Sequence, residues 1–350
     1  MRQWPVCFGV TPKCVHHSTG NPAATALPGK DRSTGMISAL IDQLGPIFLL
    51  VGAGFALAWQ GLIGGAAIQG LTKMTFWALI PATLFQTISS NRVSELFNPV
   101  IWLCYYGAVV LTALIVYVTL TRWQKNNRSE GIVLAFGAIF SNIGMLGIPI
   151  IDILFGSDGL LVLATILCIH ALSLLTPTIL LMEWSRNNSG NPGAVLANTL
   201  RAQICNPIII AIVCAIIAAS LDLKMPVMID TFFSMLKRAM PPIALMLIGA
   251  GIYGQKLRGN MTTSMIGAFA KVCLLPAIVF IFGLVLGLPI TIIGPAIMIA
   301  ALPPGVNTVL MASSYETARE RTATTMLVAT IMSIIVIPLL AVLITFLRHS

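Results

Sequence analysis

Residues 138–149 read AIFSNIGMLGIP and residues 300–308 read AALPPGVNT, and both segments lie in the middle of long apolar stretches. In the second segment, Pro303 and Pro304 remove two backbone donors and clash with the preceding turn. An α-helix therefore cannot continue unbroken through them. The sequence predicts a helix that stops and restarts at this point.

The first segment is interrupted in a similar way. Gly144 and Gly147 weaken the helix ahead of Pro149. The pair Ser141 and Asn142 stands 162 positions before the proline pair of the second segment. The two interruptions therefore occupy matching places in two halves of the chain.

The composition shows why a break in these stretches is informative. Of the 350 residues, 57% are hydrophobic and only 9% are charged, against a charged share of about 25% in soluble proteins. Such a chain uses the lipid bilayer as its solvent, so we predict an all-α membrane protein. The formal net charge of +9 is interpreted as membrane topology, and no nucleic-acid partner is expected.

Ten apolar runs of about 20 residues, the length needed to cross a bilayer, predict ten transmembrane helices. They cover approximately residues 37–58, 64–88, 99–120, 131–155, 159–184, 199–220, 227–251, 262–287, 290–312 and 320–347. The interrupted segments lie in the fourth and ninth runs. Residues 1–35 are rich in Pro, Ser and Thr and are predicted to be a disordered N-terminal extension.

The prolines indicate an internal repeat. Three pairs in corresponding runs stand 161 positions apart, namely Pro46 and Pro207, Pro81 and Pro242, and Pro177 and Pro338. We therefore divide the chain into a first repeat at 36–185, a linker loop at 186–198 and a second repeat at 199–350. Because each repeat has an odd number of helices, the second enters the membrane from the opposite side. Inverted repeats with broken helices are typical of secondary transporters.

The two breaks are the predicted substrate site. Broken backbone is costly in lipid unless a partner satisfies it, and each restarting half-helix directs a partly positive N-terminus, able to hold an anion, at the midplane. Asn142 and Asn307 add amides that could bind a ligand or only tie the backbone together. The candidate substrate-binding residues are Ser141, Asn142, Gly144, Pro303, Pro304, Gly305 and Asn307, with Gly147 and Pro149 as helix breaks.

Charged residues inside the membrane are candidates for coupling or anion contact because they are costly there. Lys73 and Lys271 could reach a carboxylate substrate or extend to the lipid headgroups. Asp152 could carry a coupling proton. His170 is expected to have a hydrogen-bonded structural role. No metal site and no cofactor are predicted.

The residues of both breaks, together with residues 81–85 and 88–91, resemble the auxin efflux carrier family over about residues 36–350. The resemblance implies the fold of the sodium/bile-acid symporters, with a scaffold and a transport bundle. In that fold the fourth and ninth helices cross at their broken centres, where organic anions bind. It also implies a homodimer. Plant carriers usually have proline where this chain has Ser141 and a second proline where it has Asn307, which argues against auxin itself as the substrate.

These features predict a secondary active transporter for a small organic anion, such as a mono- or dicarboxylate, in which one five-helix bundle moves against the other. An anion channel is an alternative, because broken helices also build selectivity filters. An intramembrane enzyme is less favoured, since the chain lacks the zinc, phosphate-loop and serine-nucleophile motifs. Nine basic residues in the loops of one side, against three to five on the other, place both termini outside the cytoplasm, in a plasma (inner) membrane.

Overall fold

The computed structural model describes residues 30–91, 98–186, 204–254 and 259–349, with isolated positions at 193, 197, 200 and 201. Residues Met1–Ala39 form one unit, of which only the start of the first helix is described. Residues Leu40–Ser350 form a second unit. Most of the predicted extension and of the predicted linker therefore lies outside the described residues.

The described part of the chain is helical apart from its loops and one isolated bridge. The helices are α1 (Lys30–Trp59), α2 (Gly65–Met74), α3 (Ile80–Ser89), α4 (Pro99–Val118), α5 (Arg128–Ile139), α6 (Ile148–Ser185), α7 (Pro207–Ser220), α8 (Val227–Ile252), α9 (Met261–Phe269), α10 (Leu275–Val285), α11 (Ile290–Ala301), α12 (Val306–Ser314) and α13 (Arg319–His349). Single π-helical turns occupy Thr75–Leu79, Thr119–Trp123, Ile143–Gly147 and Ala270–Leu274. The prediction of an all-α protein is confirmed.

Several helical runs suit a bilayer. Within the described residues, five are long and apolar enough to cross it by length and composition, namely Pro99–Trp123, Ile143–Ser185, Val227–Ile252, Met261–Val285 and Arg319–Arg348. Shorter apolar helices cover Gly45–Trp59, Pro207–Ser220 and Ile290–Ala301. Large apolar side chains such as Leu49, Trp77 and Val110 are exposed on the outside, as expected where lipid is the solvent. The topology of ten spans stays a prediction.

The boundary predicted between the fourth and fifth runs falls inside α6. Gly156 has φ of 62° and ψ of −150°, a conformation that is essentially restricted to glycine. α6 therefore consists of two helices that meet at this residue, and the chain changes direction there.

Matching positions of the two predicted repeats adopt matching local structure. α5 and α11 each contain 12 residues, begin 162 positions apart and end at the two breaks. Asn98 and Asn260, also 162 positions apart, each accept a backbone hydrogen bond at the start of α4 and α9. These matches support an internal repeat. Its inverted arrangement stays a prediction.

The helices pack as two bundles that do not coincide with the two halves of the sequence. In the first bundle (α2, α3, α7 and α8), α3 packs against α7 and α8, and α2 packs against α8. In the second bundle (α4 to α6 and α9 to α13), α4 packs against α5 and α10, and α11 packs against α6, α10 and α13. Each bundle takes helices from both halves, so the two bundles differ from the two repeats. The expected movement of one five-helix bundle against the other stays a prediction.

Helices α1 and α8 touch through their backbones. A Cβ atom placed on Gly249 would lie 1.8 Å from the carbonyl oxygen of Val51, and one on Gly54 would lie 1.9 Å from that of Met246. Neither position has room for a side chain. Close contact between small residues is a common way in which membrane helices associate, and here it attaches α1 to the first bundle.

We expect Gly249→Ala to destabilise the protein, because the added methyl group must push α1 and α8 apart. Overpacking of this kind costs about 1–3 kcal/mol. Thermal unfolding of the purified protein should show a lower midpoint. Gly251→Ala is the matched control on the same helix, since nothing lies within 4 Å of its Cβ position. Equal midpoints for the two variants would contradict the close contact.

Candidate functional site

The two predicted breaks lie side by side. Ser141 forms an isolated antiparallel bridge with Pro304. The backbone N–H of Asn142 donates to the carbonyl oxygen of Pro303 at 3.0 Å, and the N–H of Gly305 donates to that of Phe140 at 3.0 Å. We call residues 140–142 and 303–305 the crossing. Each break supplies the hydrogen-bond partners that the other lacks.

The restarting half-helices begin directly at the crossing. The π-helical turn Ile143–Gly147 follows Asn142, and α12 begins at Val306. At these helix starts the N–H of Ile143 donates to the carbonyl oxygen of Ser141 and the N–H of Thr308 donates to that of Gly305. Within the described residues, the side-chain amides of Asn142 and Asn307 are half-buried and make no hydrogen bond to the protein. No hydrogen bond from either amide to the backbone is therefore seen there, and their contact with a ligand stays a prediction.

A buried lysine holds the crossing in place. Lys271 is completely buried, and its Nζ donates to Ser141 Oγ at 2.8 Å and to the carbonyl oxygen of Ala300. Ala300 lies in the last turn of α11, where the carbonyl groups carry partial negative charge. Ser141 Oγ also shares a hydrogen bond of 3.1 Å with the hydroxyl of Tyr105. The side chain of Lys271 thus connects Ser141 of the first break to α11, the helix that leads into the second break.

Among the described residues, Lys271 forms no ion pair with a carboxylate. The ion pairs among the described residues join Arg319 to Glu316 and Arg321 to Glu130. His170 packs against Phe140, with ring centroids 4.8 Å apart, yet neither of its ring nitrogens has a hydrogen-bond partner in the described structure. The hydrogen-bonded role expected for His170 therefore stays a prediction. An unbalanced buried cation is costly, and a bound anion would offset that cost.

Gly144 of the first break lies where the two bundles meet. A Cβ atom on Gly144 would lie 3.6 Å from Ile80 Cδ1 and 4.0 Å from Ile208 Cδ1, which belong to α3 and α7. Gly147 is buried at the end of the π-helical turn, and Pro149 is the second residue of α6. The half-helix that leaves the crossing therefore faces the first bundle.

In the described structure the other predicted charged residues form no hydrogen bond or ion pair with the crossing. Lys73 is exposed on α2, a helix without buried residues. Asp152 stands ten positions after Asn142, a separation of about 15 Å along a helix. It lines a polar cavity together with Lys237. Sequence reasoning missed Tyr105. A tyrosine hydroxyl in an apolar run needs a hydrogen-bond partner when it is buried. That requirement was the signal by which the sequence could have identified Tyr105.

Replacing Lys271 by Met should impair the protein, because Ser141 Oγ and the Ala300 carbonyl lose a charged donor. Each such hydrogen bond contributes about 1.5–3 kcal/mol. We expect a lower unfolding temperature and at least about tenfold slower flux in reconstituted vesicles. Lys73→Met, which removes an exposed charge, is the matched control and should change neither property. Normal flux and stability in Lys271→Met would show that the lysine does not support the crossing.

Comparison with known proteins agrees with these features. A family model described as "Membrane transport protein" matches residues 39–341. A protein from Rhizobium meliloti (strain 1021), described as "Putative malonate transporter", is 24% identical over 292 residues, which cover 83% of this chain and 91% of the relative. "Uncharacterized transporter YfdV" from Escherichia coli (strain K12) is 22% identical over 305 residues, which cover 86% of this chain and 96% of the relative.

The family match and the apolar helices together establish a multi-pass membrane protein with a role in transport. The match covers both breaks and the helices around them. The chain therefore belongs to the membrane transport protein family, and its resemblance to the auxin efflux carriers is confirmed.

Proposed function

We propose that the protein is a secondary active transporter for a small organic anion, with the crossing as its substrate site. The observation that carries this proposal is the position of Lys271, a fully buried ammonium group bonded to Ser141 and Ala300 at the crossing. A charge in such a low-dielectric place acts strongly on its surroundings. An anion is the ligand that this charge favours.

The other groups at the crossing suit a carboxylate. The half-helix N-termini at Ile143 and Val306 carry partial positive charge, which favours an anion beside them. The free amides of Asn142 and Asn307 can donate to a carboxylate oxygen. No residue at the crossing carries a negative charge. The relative named for malonate supports small dicarboxylates as the first substrates to test.

The packing favours alternating access between the two bundles. Gly144 faces Ile80 and Ile208 of the first bundle, so sliding of the second bundle past the first would carry the crossing from one side of the membrane to the other. In this proposal the second bundle is the moving part, it contains both broken helices, and the two repeats are inverted. The protein would lie in the plasma membrane as a homodimer with both termini outside the cytoplasm.

Counterflow in reconstituted vesicles distinguishes a carrier from an anion channel. Vesicles loaded with unlabelled malonate should accumulate labelled malonate transiently, and the initial rate should saturate with external concentration. A channel shows no such exchange and produces an uncoupled current instead. Absence of saturable, trans-stimulated flux with every mono- and dicarboxylate in a broad panel would overturn the proposed function.

Replacing Asn142 or Asn307 by Ala should weaken substrate binding without unfolding the protein, because both amides are free in the described structure. Loss of one hydrogen bond to a charged ligand corresponds to about tenfold weaker binding. The apparent KM of counterflow should rise accordingly. Gln69→Ala, which removes an exposed amide on α2, is the matched control. Normal KM values in both asparagine variants would place the substrate elsewhere.

A further inference from the structure

A polar cavity of about 470 Å³ lies between the two bundles. Its lining comes from the C-terminal end of α3, the first part of α6 and the middle of α8. The volume falls within the range of about 300–1,000 Å³ that is common for small-molecule sites. The cavity is separate from the crossing, whose residues do not line it.

The cavity contains two basic side chains deep in a membrane helix. Lys237 and Arg238 line it and stand ten and eleven positions after Val227, the first residue of α8. They therefore lie about 15 Å along the helix. Within the described structure neither side chain forms an ion pair or a hydrogen bond to the protein. Charged residues at such depth are costly and mark functional sites.

The α3 side of the cavity offers polar groups that also have no partner. Thr87 is 2% exposed, and its hydroxyl has no hydrogen-bond partner among the described residues. The side-chain oxygen of Gln86 is buried without a partner as well. Buried polar atoms are rarely left unsatisfied, so these groups indicate a ligand or water in the cavity.

We propose that this cavity is a second anion site, specific for small dicarboxylates, through which the substrate reaches the crossing. One carboxylate would accept two hydrogen bonds from the planar guanidinium of Arg238. The other would lie against the ammonium of Lys237 and accept from the hydroxyl of Thr87. Two neighbouring cations distinguish a dicarboxylate from a monocarboxylate, which can use only one of them.

The position of the cavity gives it a role in transport. Its walls belong to both bundles, so relative movement of the bundles would open and close it. The carboxylate of Asp152 lies on the wall formed by α6. It repels an anion and so reduces the attraction that the two cations exert on it. The proposal rests on the proposed function, because the cavity serves to deliver an anion to a moving crossing.

Binding measurements on the purified full-length protein in phosphatidylcholine nanodiscs test the proposal, with malonate and acetate as probes. The wild-type protein should bind malonate at least about tenfold more tightly than acetate. Lys237→Gln and Arg238→Gln should each weaken malonate binding about tenfold, the effect of one charged hydrogen bond, and weaken acetate binding less. Lys224→Gln, in the exposed loop before α8, is the matched control and should bind like the wild type.

Asp152→Asn provides a test with the opposite sign. It removes a negative charge from the cavity and should tighten malonate binding by about two- to tenfold, which a general loss of structure would not produce. Unchanged malonate binding in both Lys237→Gln and Arg238→Gln would overturn the proposal, as would an equal loss in Lys224→Gln or weaker binding in Asp152→Asn.

A lipid phosphate could supply similar chemistry to Arg238, so the same variants are measured in nanodiscs that contain phosphatidylglycerol. If the substitutions change lipid binding and leave malonate binding unchanged, the cavity holds a headgroup and the dicarboxylate site is overturned. Wild-type counterflow separates the two proposals. If the wild type shows flux but the cavity variants bind malonate normally, only the second site is rejected. If the cavity variants change malonate binding but the wild type shows no flux, only the transporter function is rejected.

Discussion

The pairing of two broken backbones is the constraint on which the rest of the structure depends. Inside a bilayer every backbone N–H and C=O group needs a partner, and Pro303 and Pro304 prevent the ninth run from satisfying its own groups. The hydrogen bonds from Asn142 to Pro303 and from Gly305 to Phe140 provide the missing partners. The fourth and ninth runs must therefore meet at their centres, and the helices around them must pack so as to hold that contact.

Lys271 makes this contact asymmetric. Its ammonium binds the carbonyl end of α11 at Ala300, but 162 positions earlier the chain has the apolar Val109, which is buried. The matching end of α5 therefore receives no cation from that position. Two half-helices with the same length and the same place in the repeat thus end in different electrostatic environments. The positive charge at the crossing therefore comes from one side chain, that of Lys271, which has no counterpart at the matching position of the first repeat.

The sequence predicted what depends on local chemistry and missed what depends on distant contacts. The prolines and glycines predicted both breaks, because these residues act on their own backbone. The link from Tyr105 through Ser141 to Lys271 joins residues 36 and 130 positions apart, and no local pattern encodes it. The bundles could not be found by dividing the chain into its repeats, since α3 packs against α7 and α8 from the other half.

The two anion sites that we propose differ in a way that transport requires. Lys237 is half-buried and Arg238 is exposed, and both line the cavity, so their charges would attract an anion from water. The proposed site at the crossing would contact its ligand through neutral amides and helix ends, because Lys271, the charged residue bonded there in the described structure, is already used by Ser141 and Ala300. A transport site must bind weakly enough for its ligand to leave, and a crossing without a free cation meets that requirement. In this proposal the cavity captures the anion and the crossing releases it, so a chain with few charges can do both.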